Sequence, residues 1–366
     1  MHHAWIDGVP VDLPTAAAAA ARMLDASRQP LIAGLGTDVA GARAATALAQ
    51  RIGAAIDHMS ADALLRDLDV LREAGLMLTT PSEASMRADT LLLVGPGVID
   101  APGKLARHLL GAGGERGPSR PTDRRIFWMC PGRDSGAAAN IAVIGREVRE
   151  LPVLLATLRA LVNGRPAGPA PVPAPVLRGL ADALKTARFG VAVWSAAELD
   201  VLTIEMLCGV VDDLNATTRF SGLPLPPGDN AVGVLQVCGW MTGFPVRTGF
   251  GRSYPDHDPW QYRAARLVES GEADCVLWIS VYRAAAPEWS GDPPTIALAP
   301  ADASFAKRPR VHIAVGAPGR DHDGVEHHAM IGTLAAVAAT HRSEALSVAD
   351  AIASIVTHLA DRPSTC

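Results

Sequence analysis

The sequence predicts an α/β protein built as two parallel-sheet units. Short apolar, β-branched runs alternate with longer stretches whose apolar residues recur at helical spacing, the succession that strand, crossover helix and returning strand produce. The chain has 366 residues, more than the roughly 250–300 at which one hydrophobic core stops growing. Apolar residues make up 49% of it and aromatic ones only 4%, so Ala, Val and Leu must do most of the close packing on both sheet faces.

The elements follow in order. The run PLIAGLG (30–36) reads as a strand ending in glycines; Thr37 or Asp38 caps the helical run after it, and Gly53 closes that helix. AAID (54–57) is a second short strand. In ADALLRDLDVLREAG, Leu64, Leu65, Leu68 and Leu71 share a helix face. ADTLLLVGPG (88–97) is a buried strand with glycines at its carboxyl end, and APGKLARHLL is the next helix. A loop covers 111–125, then IFWMCPG forms a strand and 148–162 a helix. Residues 163–176, NGRPAGPAPVPAPV, form a stiff Pro-rich linker or strap. A helix over 177–187, the strand FGVAVWS (189–195) and a helix around 198–214 come next, while 221–233 has no regular pattern. Strands 273–280, 294–300 and 310–316 precede a final helix pair, 326–341 and 345–360.

Composition excludes some functions. Net charge is -5 and no Lys/Arg cluster forms a basic face, which argues against nucleic acid. No run approaches the roughly 20 apolar residues that span a bilayer. The opening MHHAWIDGVPVDL has no charged or apolar signal region, and the Ala run 16–21 is too short and helix-prone to be one. A cytoplasmic protein without a membrane partner is expected. Cys130, Cys208, Cys238, Cys275 and Cys366 are far apart and mostly in apolar contexts, so they read as reduced, buried thiols.

Two glycine motifs are near misses. GLGTDVAG sits between strand and helix, where a phosphate turn belongs, but Val39 occupies the third glycine position. GVIDAPGKL (97–105) has one residue too many for a P-loop, and Leu105 replaces the hydroxyl that would hold magnesium. There is no G-x-S-x-G elbow. The run GRDHDGVEHHAM (319–330) is rich in potential ligands, namely His322, Asp323, His327 and His328. The histidine gaps of five and one do not share a helix face as a zinc pair at i and i+4 would. The run follows strand 310–316, at a carboxyl end where α/β proteins bind ligands, and His327 and His328 are expected in a helix's first turn. A hydrogen-bonded loop or subunit contact is the reading preferred over a metal site.

These pieces, in this order, resemble the B subunit of formylmethanofuran dehydrogenases, within the molybdopterin-dependent formate dehydrogenases. The carrying segments are PLIAGLGTDVAGARAATALAQRIGAAID, RADTLLLVGPG (87–97), ADCVLWIS and VHIAVGAPGRDHDGVEHHAM, and the similarity covers most of 15–345. The resemblance implies two Rossmann-like parallel-sheet domains of the formate dehydrogenase/DMSO reductase type, lacking the Fe–S domain and the C-terminal barrel. It also implies a discontinuous first domain, 15–118 plus 255–366, with 119–254 inserted, and strands 90–94 and 311–315 recruited to one sheet.

The departures from the family set the functional expectation. The family holds a [4Fe–4S] cluster with clustered N-terminal cysteines; here residues 1–30 contain none. It places a Cys or Sec ligand to Mo or W after the segment matching AAID; here 57–75 contain no Cys. The chain is therefore most similar to the beta subunit of the formyltransferase/hydrolase complex of methylotrophic bacteria. That resemblance implies a scaffold subunit in one-carbon metabolism. Its complex would move a formyl group from tetrahydromethanopterin to a formylmethanofuran-like carrier and release formate, using amidohydrolase-type and formyltransferase-type partner subunits. No Fe–S cluster or Mo/W-pterin is expected, and no residue is assigned a catalytic, cofactor-binding or metal role. The histidine run then reads as the altered rim of a vacated cofactor cleft. Two rivals remain: a Mo/W oxidoreductase with unusual ligands such as His322 and Asp323, and a nucleotide-binding enzyme using the Gly34–Gly41 turn.

Overall fold

The computed structural model describes residues 4–111, 124–132, 140–283, 286–287 and 289–360. In chain order the first elements are β1 (Ala4–Ile6), β2 (Val9–Val11), α1 (Leu13–Ala26), β3 (Pro30–Gly36), α2 (Val39–Ile52) and β4 (Ala55–Ile56). Next come α3 (Ala61–Glu73), α4 (Pro81–Arg87), β5 (Thr90–Val94), α5 (Leu105–Leu109), β6 (Arg125–Met129), β7 (Ile141–Ile144), α6 (Leu151–Val162), α7 (Ala174–Lys185), β8 (Gly190–Trp194), α8 (Val201–Leu214) and β9 (Phe220–Pro224). The last are α9 (Ala231–Thr242), β10 (Thr248–Gly249), β11 (Asp256–His257), α10 (Ala264–Glu269), β12 (Cys275–Ser280), β13 (Thr295–Ala299), β14 (Val311–Ala314), β15 (Gly324–His328), β16 (Thr333–Val337) and α11 (Val348–Val356).

The chain divides into two units. Unit 1 takes the described residues up to Ala61, then Asp229–His327, then those from Leu334 onward. Its nine-stranded sheet has the order β11-β10-β4-β3-β12-β13-β14-β1-β2. The central run from β4 to β14 is parallel, and the strands beyond it at either edge are antiparallel. Every residue of β3 and β12 is buried, as expected for parallel strands covered on both faces. The helix after β3 starts where the sequence places it: Asp38 accepts from the Gly41 N–H at 2.9 Å, and Gly53 closes α2 in the left-handed region. The alanine run folds into α1, and Ala16, Ala17, Ala20 and Ala21 are fully buried.

Unit 2 comprises Asp62–Gly228 and His328–Thr333. Its five strands are all parallel, in the order β7-β6-β5-β8-β9. Strand periodicity sorts its core in two. Leu92 and Val94 join one cluster with residues of α6, α7 and α8, while Leu91 and Leu93 join another with residues of α4 and α5. Each such fully buried Leu contributes roughly 1.5–3 kcal/mol relative to exposure.

Three expectations are corrected here. Strands 90–94 and 311–314 lie in different sheets: β5 pairs with β6 and β8, and β14 with β13 and β1. The units accordingly change over at 61/62 and 228/229, where the sequence reading places 118/119 and 254/255. Second, 221–233 is irregular only in its middle, 225–230. It holds most of β9 and the start of α9, and Gly222 is there because a Cβ would lie 2.8 Å from the Trp194 ring. Third, 326–341 is a hairpin, β15 and β16, not a helix. His328 O accepts from Ile331 N and Gly332 N, and Gly332 sits at φ +69°, which closes a turn where a helix would continue. Residues 163–173 carry no helix or strand before α7, and the loop expected over 111–125 falls, except for its ends, outside the described residues.

Candidate functional site

In unit 1 the strand order reverses beside β3, with β4 on one side and β12 on the other. The carboxyl ends of strands at such a reversal are where α/β sheets form crevices for ligands. Here they deliver Gly36, Thr37 and Asp38 from β3, and Ser280, Tyr282 and Arg283 from β12. Val281 N donates to Gly36 O at 3.0 Å, which locks the two strand ends together. Gly41, two residues past the third glycine of the phosphate-turn pattern, answers a packing need: a Cβ there would lie 2.0 Å from Thr37 Oγ1.

The surrounding backbone is strained. Leu35, Asp229 and Asn230 all adopt left-handed conformations, with φ of 54°, 59° and 56°. Each costs of order 1–2 kcal/mol for a side chain other than glycine, and such outliers concentrate at built sites. Asn230 explains its own placement. Its Nδ2 donates to Thr37 O at 2.8 Å, and its Oδ1 accepts from His327 N at 2.8 Å. One amide thus ties the β3–α2 turn to β15.

The charges here are buried and mutually constrained. Arg283 Nη2 pairs with Asp229 Oδ2 at 2.8 Å. Burial still raises the Asp229 carboxyl above its ordinary range against the pull of Arg283. Tyr282 is raised by burial first and then by Glu326, with Asp38 and Asp229 adding to it. Asp57 and Arg247 form a buried ion pair at 3.4 Å, and Asp57 also accepts from the N–H groups of His58 and Ala264 at 2.9 and 2.8 Å.

His58 stands two residues past the end of β4. It is 3% exposed, and burial pulls its pKa down to about 4, so the ring is neutral at physiological pH. Its Nδ1 accepts from Ser60 N at 2.9 Å, and its Nε2 therefore carries the proton it donates to Asp229 O at 3.2 Å. Both ring nitrogens are engaged. Nothing in the sequence reading singled this residue out; a lone histidine after a two-residue strand carries no periodic signal.

The histidine run does not converge. His322 Nδ1 lies 2.8 Å from Asp323 O, while Asp323 accepts from Ala339 N at 2.8 Å and pairs with Arg342. Those contacts hold the Asp323 carboxyl below its ordinary range. Asp321 accepts from Ala317 N and Arg320 at 2.8 and 2.9 Å, which outweighs the raising effect of its burial. His327 and His328 end β15 instead of opening a helix. Among the described residues no group of three or more His, Cys, Asp or Glu is placed to hold a metal ion. Cys130, Cys208, Cys238 and Cys275 are all free, and burial pushes each thiol up to about 12. Cys366 lies outside the described residues.

Unit 2 has its own reversal, beside β5. The near-P-loop 97–105 becomes a single 3₁₀ turn running into the five-residue α5, with Lys104 itself left-handed. Asp67 of α3 accepts from Trp194 Nε1 at 2.9 Å, and burial raises its pKa to about 6. Among the described residues no helix is long and apolar enough to cross a membrane.

Comparison with known proteins gives a consistent picture. No family model matches the chain. It is 34% identical over 361 residues to the B subunit of the formyltransferase/hydrolase complex Fhc of Methylorubrum extorquens, covering 98% of this chain and 97% of that one. It is 28% identical over 285 residues to the B subunit of tungsten-containing formylmethanofuran dehydrogenase 2 from Methanocaldococcus jannaschii, and 26% identical over 277 residues to that from Methanococcus maripaludis. The matches span 64% of each of those two longer proteins. A chain of the crystal structure of the formyltransferase/hydrolase complex FhcABCD from Methylorubrum extorquens, in complex with methylofuran, superposes with a TM-score of 0.85. That match has 34% identity and covers 96% of this chain and 97% of the other.

Proposed function

The chain belongs to the B-subunit family of formyltransferase/hydrolase complexes, and from that we propose that it is a structural component of such a complex, with no redox chemistry of its own. The complex would transfer a formyl group from tetrahydromethanopterin to a formylmethanofuran-like carrier and hydrolyse it to formate. Amidohydrolase-type and formyltransferase-type partners would carry the chemistry, and this chain would hold them in register. The fold is read as a pair of Rossmann-like domains of the formate dehydrogenase type, acting in the cytoplasm.

The observation that carries the reading is His58. It stands in the segment where the dehydrogenase resemblance implies a thiolate or selenolate ligand to tungsten or molybdenum. Its nitrogens are both used inside the protein, and a neutral imidazole donating to a carbonyl cannot replace a soft anionic ligand. The four described thiols support the same conclusion, because ligation needs thiolates and burial disfavours them. Asp38, Asp229 and Glu326 lie close enough to Tyr282 to raise it, so the strand-end crevice carries carboxylates that disfavour an anionic cofactor. The donor set does not fit a tungsten- or molybdenum-pterin or an Fe–S cluster.

Affinity purification of a tagged chain from its native host tests the proposal. The expected result is co-purification of the partner subunits with formyl-transfer and hydrolysis activity, and tungsten, molybdenum and iron below stoichiometric levels on this chain. A chain recovered alone, or one carrying stoichiometric tungsten or molybdenum, would overturn it.

A further inference from the structure

We propose that the β14–β1–β2 edge of unit 1 carries a binding site for a small monocyclic planar carboxylate, framed by Trp5, Phe305, His312 and Arg308. A cavity of about 250 Å³ opens there. That is below the range of roughly 300–1,000 Å³ typical of drug-sized ligands, so one ring with one acid group is the scale it accepts.

Its walls are aromatic. Trp5 and His312 lie nearly parallel, with centroids 5.0 Å apart and planes at 25°, and Phe305 meets His312 edge-on at 5.4 Å. Flat rings arranged this way present π faces and edges that favour another planar ring over an aliphatic chain. Two of these three rings, Trp5 and Phe305, come from a chain with only 4% Phe, Trp and Tyr. His312 Nε2 donates to Ala299 O at 3.3 Å, and burial holds its imidazole below the ordinary range, so the ring enters as a neutral wall.

Arg308 supplies the charge. Arg308 is exposed, and among the described residues its one hydrogen bond runs from Nη1 to Asp7 O at 3.2 Å; that leaves the Nε–Nη2 edge, the edge that grips a carboxylate with two parallel bonds. The β1–β2 turn makes room for it: a Cβ on Gly8 would lie 2.6 Å from Arg308 Nη1. The neighbouring cations are committed elsewhere, Arg310 to Asp7 at 2.9 Å and Lys307 to Asp292 at 3.6 Å.

Titration of the full chain with benzoate, followed by calorimetry and by intrinsic tryptophan fluorescence, tests the site. Saturable benzoate binding is expected, with benzamide and cyclohexanecarboxylate each at least about tenfold weaker, since a lost charged hydrogen-bond pair or ring contact is worth that much. Arg308→Gln should weaken benzoate about tenfold or more, while Lys307→Ala, which changes the net charge equally, leaves it unchanged. Phe305→Leu, which keeps bulk without a π face, separates ring recognition from folding. No saturation, equal binding of benzamide, or an equal effect of Lys307→Ala would overturn the proposal.

Discussion

At the scale of single residues, His58 and Asp67 have opposite pH signatures. His58 falls from an ordinary 6.5 to about 4 on folding, so its contribution is complete above pH 6.5 and is lost as pH drops towards 4. The loss amounts to about 3 kcal/mol at the acid end. Asp67 rises from 3.8 to about 6, so it favours the folded chain below pH 4 and costs roughly 3 kcal/mol once the pH has passed 6. His58→Asn keeps an acceptor for Ser60 N–H and should flatten the acid limb of a stability–pH profile. Asp67→Asn keeps the acceptor for Trp194 Nε1 and should raise the denaturant midpoint at pH 7, with little gain at pH 4. Chemical denaturation across pH 4–8 measures both; an unchanged acid limb in the first variant would refute the account of His58. Neither residue was legible in the sequence, because burial is a property of neighbours far along the chain.

At the scale of elements, the sequence located strands and helices well where apolar runs were bounded by caps, as with β3, α2 and β12. It failed where glycine had a packing role. Gly222 looks like loop punctuation, yet it makes room for a ring lying across unit 2's sheet, as Gly190 does within the strand read correctly over 189–195. A Cβ on Gly190 would come within 2.0 Å of Phe220 Cε2, and one on Gly222 within 2.8 Å of Trp194 Cζ3. Gly222→Val should therefore destabilise by at least about 1–3 kcal/mol despite its better strand propensity. A lowered urea midpoint with an unchanged slope would be the signature, and a neutral or stabilising outcome would rule this packing out. The β15–β16 hairpin misled differently. HHAMIGTLAAVAAT has helix-forming alanines, and only the turn at 328–332 decides against a helix. The β1–β2 hairpin had the opposite problem: the Asp7–Gly8 turn between its two short strands is a readable signal that went unread, and Asp7 and Gly8 take the left-handed φ of 50° and 82° that such a turn requires.

At the scale of the whole molecule, the absence of ligating thiols was fully legible from sequence, since it concerns which residues exist. What occupies the corresponding space was not, since Asn230, His58 and Asp229 come together only through sheet topology. The four described cysteines give a global test of the scaffold reading. In the native chain at pH 8, maleimide should label Cys130, Cys238 and Cys275 at no appreciable rate and the half-buried Cys208 only slowly, and denaturation should expose all four. Incubation with ferrous iron and sulfide should leave the native chain without a stoichiometric cluster; a cluster held by these thiols would contradict their burial. The discontinuity of unit 1 has a further consequence for biosynthesis. Its two innermost strands pair residues 30–36 with 275–280, whereas nearly all of unit 2 is one uninterrupted stretch between them. On the ribosome the five-stranded sheet has all its strands long before the nine-stranded one can close, so β3, which meets β4 early, must wait with its other edge unpaired and apolar while some 240 residues are translated (a wait of tens of seconds at ordinary elongation rates of ~5–20 residues per second). A nascent chain of this protein has reason to recruit a chaperone to its first forty residues and none to be released early.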